Sequence, residues 1–170
     1  PYSGHADGMI KNWQKEALQL IKDVGIWINE EKLKLSSKQI KTKSLNSFVS
    51  YVDKEAEKLL IEGLKKIIPD SGVIAEESGG IELLSGFNWI IDPLDGTTNY
   101  IHGLNPYSIS VALMLDNEII WSTILDLSTF KIYMAEKGKG AVCDEIPLDI
   151  TNGSKFCLLY TSPSPRDVEE

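Results

Sequence analysis

Trp89-Ile90-Ile91-Asp92-Pro93-Leu94-Asp95-Gly96-Thr97-Thr98-Asn99 is an apolar run that ends in two carboxylates three residues apart. Phe87 to Ile91 is aromatic and β-branched, the composition of a buried strand, and the strand is expected to stop at Asp92. Pro93 fixes its own φ and drives the residue before it into an extended conformation. A rigid turn is therefore expected, with Asp92, the Leu94 carbonyl and Asp95 converging on one point. Hard oxygen ligands so arranged suit Mg2+. Gly96-Thr97-Thr98 adds a backbone that a ligand can approach closely, with N–H groups and hydroxyls able to hold a phosphate at the start of a short helix. A cation site and an anion site would adjoin. The plainer reading keeps Asp92 and Asp95 as turn formers, with Thr97 or Thr98 as an N-cap.

Spacing excludes two other acidic motifs. An EF-hand loop takes oxygen ligands at alternate positions, with Gly at the sixth and Glu at the twelfth. Counting from Asp92 puts Gly96 fifth and Gly103 twelfth. The haloacid dehalogenase pattern runs D-x-D-G-T, whereas this chain runs D-P-L-D-G-T. The extra residue changes which side of the turn each carboxylate faces.

With these residues in view, the sequence resembles the inositol monophosphatase family, whose first motif is D-P-[IL]-D-G-T-x-N after a short apolar strand. The resemblance extends upstream to Ala75-Glu76-Glu77-Ser78 and to Phe48-Val49-Ser50-Tyr51-Val52-Asp53. Downstream it runs through Pro106-Tyr107-Ser108-Ile109-Ser110-Val111-Ala112 to Gly138-Lys139-Gly140-Ala141. It implies Mg2+-dependent hydrolysis of a phosphate monoester by metal-activated water, without a phosphoenzyme. Glu76, Asp92, the Leu94 carbonyl and Asp95 would be the metal ligands, with Glu77 behind them. Glu76, Asp95 and Thr97 would be catalytic, and Glu76, Leu94, Asp95, Gly96 and Thr97 would meet the substrate. Thr98-Asn99 resembles the inositol phosphatases, whereas adenosine bisphosphate phosphatases more often carry Lys-Glu there. A small phosphorylated polyol or sugar, inositol monophosphate first, is the implied substrate. A homodimer and lithium sensitivity are implied too.

The family's second motif, a W-D-x-A-[AG] helix start whose Asp completes the second metal site, has no counterpart. None of Trp13, Trp27, Trp89 and Trp121 is followed by Asp. The 170 residues are therefore expected to be inactive alone, and a non-catalytic divalent-ion-binding or oligomerisation module is the alternative.

A chain of 170 residues suits one domain with a real core. Its net charge of -8 and pI near 4.8 argue against nucleic acid as a partner. Cys143 and Cys157 are too few for a disulfide framework, so Cys143 reads as a buried thiol in a reducing, cytoplasmic setting. No apolar run has the length of a membrane span.

Taken in order, residues 1–8 read as an extension, with His5 in it. Ile10, Trp13, Ala17, Leu20, Ile21, Val24 and Ile28 recur at helical spacing and predict an amphipathic helix to about Glu31. Ser36 to Ser47 reads as a loop in which Lys41 or Lys43 is either solvated or close to the site. Ser47 stands where the family usually has Asp. Ser50 and Asp53 have capping-box spacing and open a second helix, which Pro69-Asp70-Ser71-Gly72 ends. Asp53 is then either a favourable charge at a helix N-terminus or, by resemblance, an acid near the metals. Val73-Ile74-Ala75 is a strand, Gly79 to Gly86 a surface loop, and His102 a loop histidine. Ser108 to Leu115, Glu118 to Leu125, Lys131 to Ala135 and Ala141 to Cys143 read as an antiparallel meander.

The expected fold is α+β: two helices packed on an antiparallel sheet of about six strands. It resembles the N-terminal half of the layered α/β/α/β/α sandwich of inositol monophosphatases. Residues 9–156 would form this truncated domain, and 157–170, Ser/Pro-rich and unlike the family, an artefactual or disordered tail.

Overall fold

The computed structural model describes residues 11–36, 42–75, 82–83, 85–95, 107–144 and 146–147. Helix α1 (Asn12–Ser36) buries Ala17, Ile21, Val24 and Ile28, one stripe at three- and four-residue spacing. Its first turn is closed by the Lys11 N–H donating to Gln14 Oε1 at 3.1 Å, half of a capping box. Helix α2 (Thr42–Ile67) buries Val49, Val52, Ala56, Leu60 and Leu64. Both helices outrun the expectation: α1 ends five residues beyond Glu31, and α2 begins eight before Ser50. The polar stretch before Ser50 is helical because Leu45, Phe48 and Val49 continue the apolar stripe backwards onto the core, and packing outweighs the weak propensity of Ser and Thr. Ser50 is thus exposed mid-helix and caps nothing.

Among the described residues seven strands follow, β1 (Gly72–Ala75), β2 (Phe87–Asp95), β3 (Ser108–Leu115), β4 (Glu118–Asp126), β5 (Ile132–Glu136), β6 (Gly140–Cys143) and β7 (Ile146–Pro147). They form one sheet in sequence order. The sheet is mixed rather than wholly antiparallel, because β1 and β2 pair in parallel while every later neighbour is antiparallel. Asp116 and Asn117 close the β3–β4 hairpin with φ of 47° and 68°, the left-handed pair that matches strand twist in a two-residue turn.

Ile109, Val111 and Leu113 face the helices and are buried, while Ser108, Ser110, Ala112 and Met114 alternate to the other, half-exposed face. Helix α2 lies over β1 and β2, and α1 over β4. Between them, Trp13, Trp89 and Trp121 meet pairwise edge-to-face with centroids 5.3 to 6.3 Å apart, each contact worth roughly 0.5–1.5 kcal/mol beyond its buried area. Glu136 on β5 ties down the start of α1, accepting from Gln14 Nε2 at 2.6 Å and from Lys11 Nζ at 3.1 Å. Cys143 is buried as expected but disulfide-bonded, which corrects its reading as a thiol; Cys157 lies outside the described residues. No helix among the described residues is long and apolar enough to cross a membrane.

Candidate functional site

The end of β1 lies beside the later part of β2. β1 ends at Ala75, paired with Ile91; in the sequence Glu76 follows the first and Asp92 the second. The parallel pairing, unreadable from local alternation, is what brings the end of β1 level with Ile91, the residue before Asp92.

β2 does not stop at Asp92, as the sequence suggested, but runs through Pro93 and Leu94 to Asp95. The turn expected after Asp92 is a β-bulge within the strand. Asp92 pairs with Ser110 and Asp95 with Ser108, so three steps along β2 match two along β3. Pro93, which has no N–H for a ladder, is tolerated because it falls at this irregularity. Asp92 is half-exposed between the buried Ile91 and Pro93, and Leu94 is 2 % exposed. In an unbulged strand, positions three apart fall on opposite faces. Here they stand opposite Ser110 and Ser108, two neighbours on one face of β3. The donors offered, a carboxylate and a backbone carbonyl, are hard oxygens that fit Mg2+.

Of the expected ligands, Asp92 and Leu94 are described in full and Asp95 by its backbone. Glu76, Glu77, Gly96, Thr97, Thr98, Asn99, His102, His5 and Lys41 lie outside the described residues, as does the Lys43 side chain. Among the described residues no three His, Cys, Asp or Glu side chains gather as a metal cluster.

Asp53 is better resolved by the fold than by the sequence. It lies eleven residues inside α2, and the helix dipole acts only within the terminal turns. The N-terminal-charge reading of Asp53 is thereby withdrawn. One turn on, Glu57 is 2 % exposed. The sequence reading passed over Glu57, although the signal was there: Asp53 and Glu57 interrupt the apolar stripe at i, i+4 spacing beside Val52, Ala56 and Leu60.

A family model described as the inositol monophosphatase family matches residues 9–169. The chain belongs to the inositol monophosphatase family. It is 36% identical over 136 residues to the Nus factor SuhB of Xylella fastidiosa, covering 79% of this chain and 49% of that one. To the inositol-1-monophosphatase of Rhizobium meliloti it is 39% identical over 108 residues, 63% of this chain and 41% of the relative. Among solved structures, the suhB extragenic suppressor protein of Bartonella henselae aligns with a TM-score of 0.71 at 27% identity, over 82% of this chain and 54% of that one. Inositol monophosphatase II of Staphylococcus aureus aligns with a TM-score of 0.69 at 28% identity, over 79% and 50%. The chain spans about half the length of the relatives it matches. The described residues of the chain form two helices and one mixed sheet.

Proposed function

We propose that the protein hydrolyses a small phosphate monoester, inositol monophosphate or a related sugar or polyol phosphate, in a Mg2+-dependent reaction. The observation that supports this best is the β2 bulge, which sets Asp92 and Asp95 opposite adjacent same-face positions of β3. Asp92, Asp95, the Leu94 carbonyl and Glu76 would hold the metal. Bound there, Mg2+ would acidify the attacking water and stabilise the leaving alkoxide. Glu76 and Thr97 would orient that water, with Asp95 beside them, and the N–H groups of Gly96 and Thr97 would grip the phosphate. Asp53, its helix-terminus role removed, is assigned to the surroundings of this centre. The reading includes a homodimer, inhibition by lithium and a cytoplasmic setting; the disulfide at Cys143 counts against the last of these, since disulfides persist mainly in oxidising compartments.

Phosphate release from inositol monophosphate by the protein at the length of its relatives tests the proposal. Release with Mg2+ and none with chelator is expected. Equal release in both would remove the metal mechanism.

A second reading is favoured by the relatives named Nus factor SuhB from Xylella fastidiosa, Pasteurella multocida and Haemophilus influenzae, a name that suggests a transcription role. The fold would then serve as a non-catalytic or oligomerising module. Wild-type assembly into a transcription complex by an Asp95→Asn variant without phosphatase activity would favour that reading.

A further inference from the structure

A cavity of about 680 Å3 lies against α2 and is lined there by Asn46, Ser50, Tyr51, Lys54, Glu55 and Lys58. That volume suits a small organic molecule rather than a bare ion. Asn46, Ser50, Lys54 and Lys58 recur every four residues, so their side chains stand in one row along the helix, with Tyr51 three residues before Lys54. All five are exposed and lie off the stripe of Val49, Val52, Ala56 and Leu60 that α2 buries.

Among the described residues neither Lys54 nor Lys58 makes an ion pair, and like charges four residues apart on a helix repel. Glu55 is the one acid among the described residues that line the cavity. In a chain of net charge -8, two lysines against one acid reverse the sign locally. Tyr51 adds a flat apolar surface. Its ring is 51% exposed, yet braced by Trp27 and Phe48, whose ring centroids each lie 6.3 Å from its own. A ring held in this way loses little freedom when another ring stacks on it.

We propose that this cavity is a binding site for a small aromatic phosphate, with the chemistry of a nucleoside monophosphate. The ring system stacks on Tyr51, and the phosphate is met by the Lys54 and Lys58 ammonium groups, with Ser50 and Asn46 donating beside them. Lysine meets phosphate as a point charge, without the fixed fork of arginine, which suits a site built along one helix face. None of the metal ligands takes part, so this assignment stands or falls apart from the metal reading.

The test is calorimetric titration of adenosine 5′-monophosphate into the 170-residue chain, with chelator present to keep divalent metal and hydrolysis out of the readout. The melting temperature of each variant is measured alongside. The nucleotide should bind about tenfold or more tighter than adenosine or inorganic phosphate, each of which carries half of the recognised chemistry. Tyr51→Ala should weaken the nucleotide about tenfold or more and leave inorganic phosphate unchanged. Lys54→Gln combined with Lys58→Gln should weaken both ligands and flatten the salt dependence of binding. Tyr51→Leu carries the comparison if Tyr51→Ala unfolds. No binding at millimolar nucleotide overturns the proposal. Wild-type affinity in the double lysine variant or in a folded Tyr51 variant puts the ligand elsewhere and overturns it as well. Inorganic phosphate bound as tightly as the nucleotide removes the ring from the site, with the same result. A single-stranded RNA bound through these residues more tightly than the monophosphate reassigns the surface to nucleic acid and also overturns it.

Discussion

Lys32 Nζ on α1 donates to the Tyr107 hydroxyl at 2.9 Å and lies 4.4 Å from the centroid of the same ring. The Tyr107 hydroxyl in turn donates to Asn29 Oδ1 at 3.3 Å, and Asn29 Nδ2 donates to the Leu127 carbonyl at 3.0 Å. The Leu127 N–H closes the circuit onto the Tyr107 carbonyl at 3.0 Å. Tyr107 is 4 % exposed and immediately precedes β3. This circuit binds α1 to the chain that leads into the Ser108 and Ser110 positions.

Tyr107→Phe keeps the ring and removes the one atom that joins Lys32 to Asn29. A loss of about 1–3 kcal/mol is expected, because a charged donor and a half-exposed amide each lose a partner. Thermal unfolding checks it: a domain of this size loses roughly 2–4 °C per kcal/mol. An unchanged melting temperature would mean that the circuit adds nothing to stability.

Gly25 and Gly63 should respond differently to alanine. Either change gains about 1 kcal/mol of helix propensity. At Gly25 a Cβ would lie 2.7 Å from Leu125 Cδ2, 3.1 Å from Leu127 Cδ2 and 3.3 Å from Phe130 Cε1. Leu125 and Leu127 are buried and cannot withdraw, so Gly25→Ala should destabilise by about 1–3 kcal/mol. At Gly63 all the near atoms belong to Leu20, a half-exposed side chain that can swing aside. Gly63→Ala should be close to neutral, and denaturant titration of the two variants separates them.

Tyr133 carries an alkaline pH dependence. Burial, and then the charges of Asp126 and Asp144, push its phenol above the ordinary 10.0. A group raised in the folded state contributes stability that is complete below its unfolded pKa and is lost as pH rises through the folded one. Melting temperature should therefore fall more steeply above pH 10 in the wild type than in Tyr133→Phe. Parallel curves would show that the phenol titrates alike in both states.

Asp95→Asn, in the protein at the length of its relatives, tests the proposed metal role of Asp95, since it keeps shape but removes the carboxylate charge. Its phosphatase rate should drop by orders of magnitude with the melting temperature retained. Full activity in this variant would exclude Asp95 from the metal centre.

The 170-residue chain by itself should release phosphate no faster than background. No tryptophan in it is followed by Asp, so under the proposed mechanism the second metal site would lack a carboxylate. A steady-state assay with purified chain decides this, and a rate near that of a full-length relative would show that ligand to be dispensable.

The amino-acid sequence alone determined the elements whose information is local. Strand β3 was read with its observed bounds, Ser108 to Leu115, because alternate residues face one packed layer and the period is written in the side chains themselves. Asp116 and Asn117, the two residues left between the runs ending at Leu115 and starting at Glu118, form the turn for an equally local reason, the tolerance of both residues for positive φ. The acidic segment at Asp92 and Asp95 and its family were legible from residue types at fixed spacing.

What tertiary structure decided was everything that depends on a partner distant in the chain. Residues 42–49 are helical because Leu45 and Val49 find the sheet, not because their composition favours helix. Asp53 lost its helix-terminus role for that reason. The parallel pairing of β1 with β2 and the bulge between Asp92 and Asp95 are relations between strands, and a strand's own sequence does not say which neighbour it meets or in which register. Asp92 and Asp95 were legible as a pair, but only pairing with β3 set them opposite Ser110 and Ser108, since one inserted residue shifts everything after it by one place in the two-residue period of the sheet.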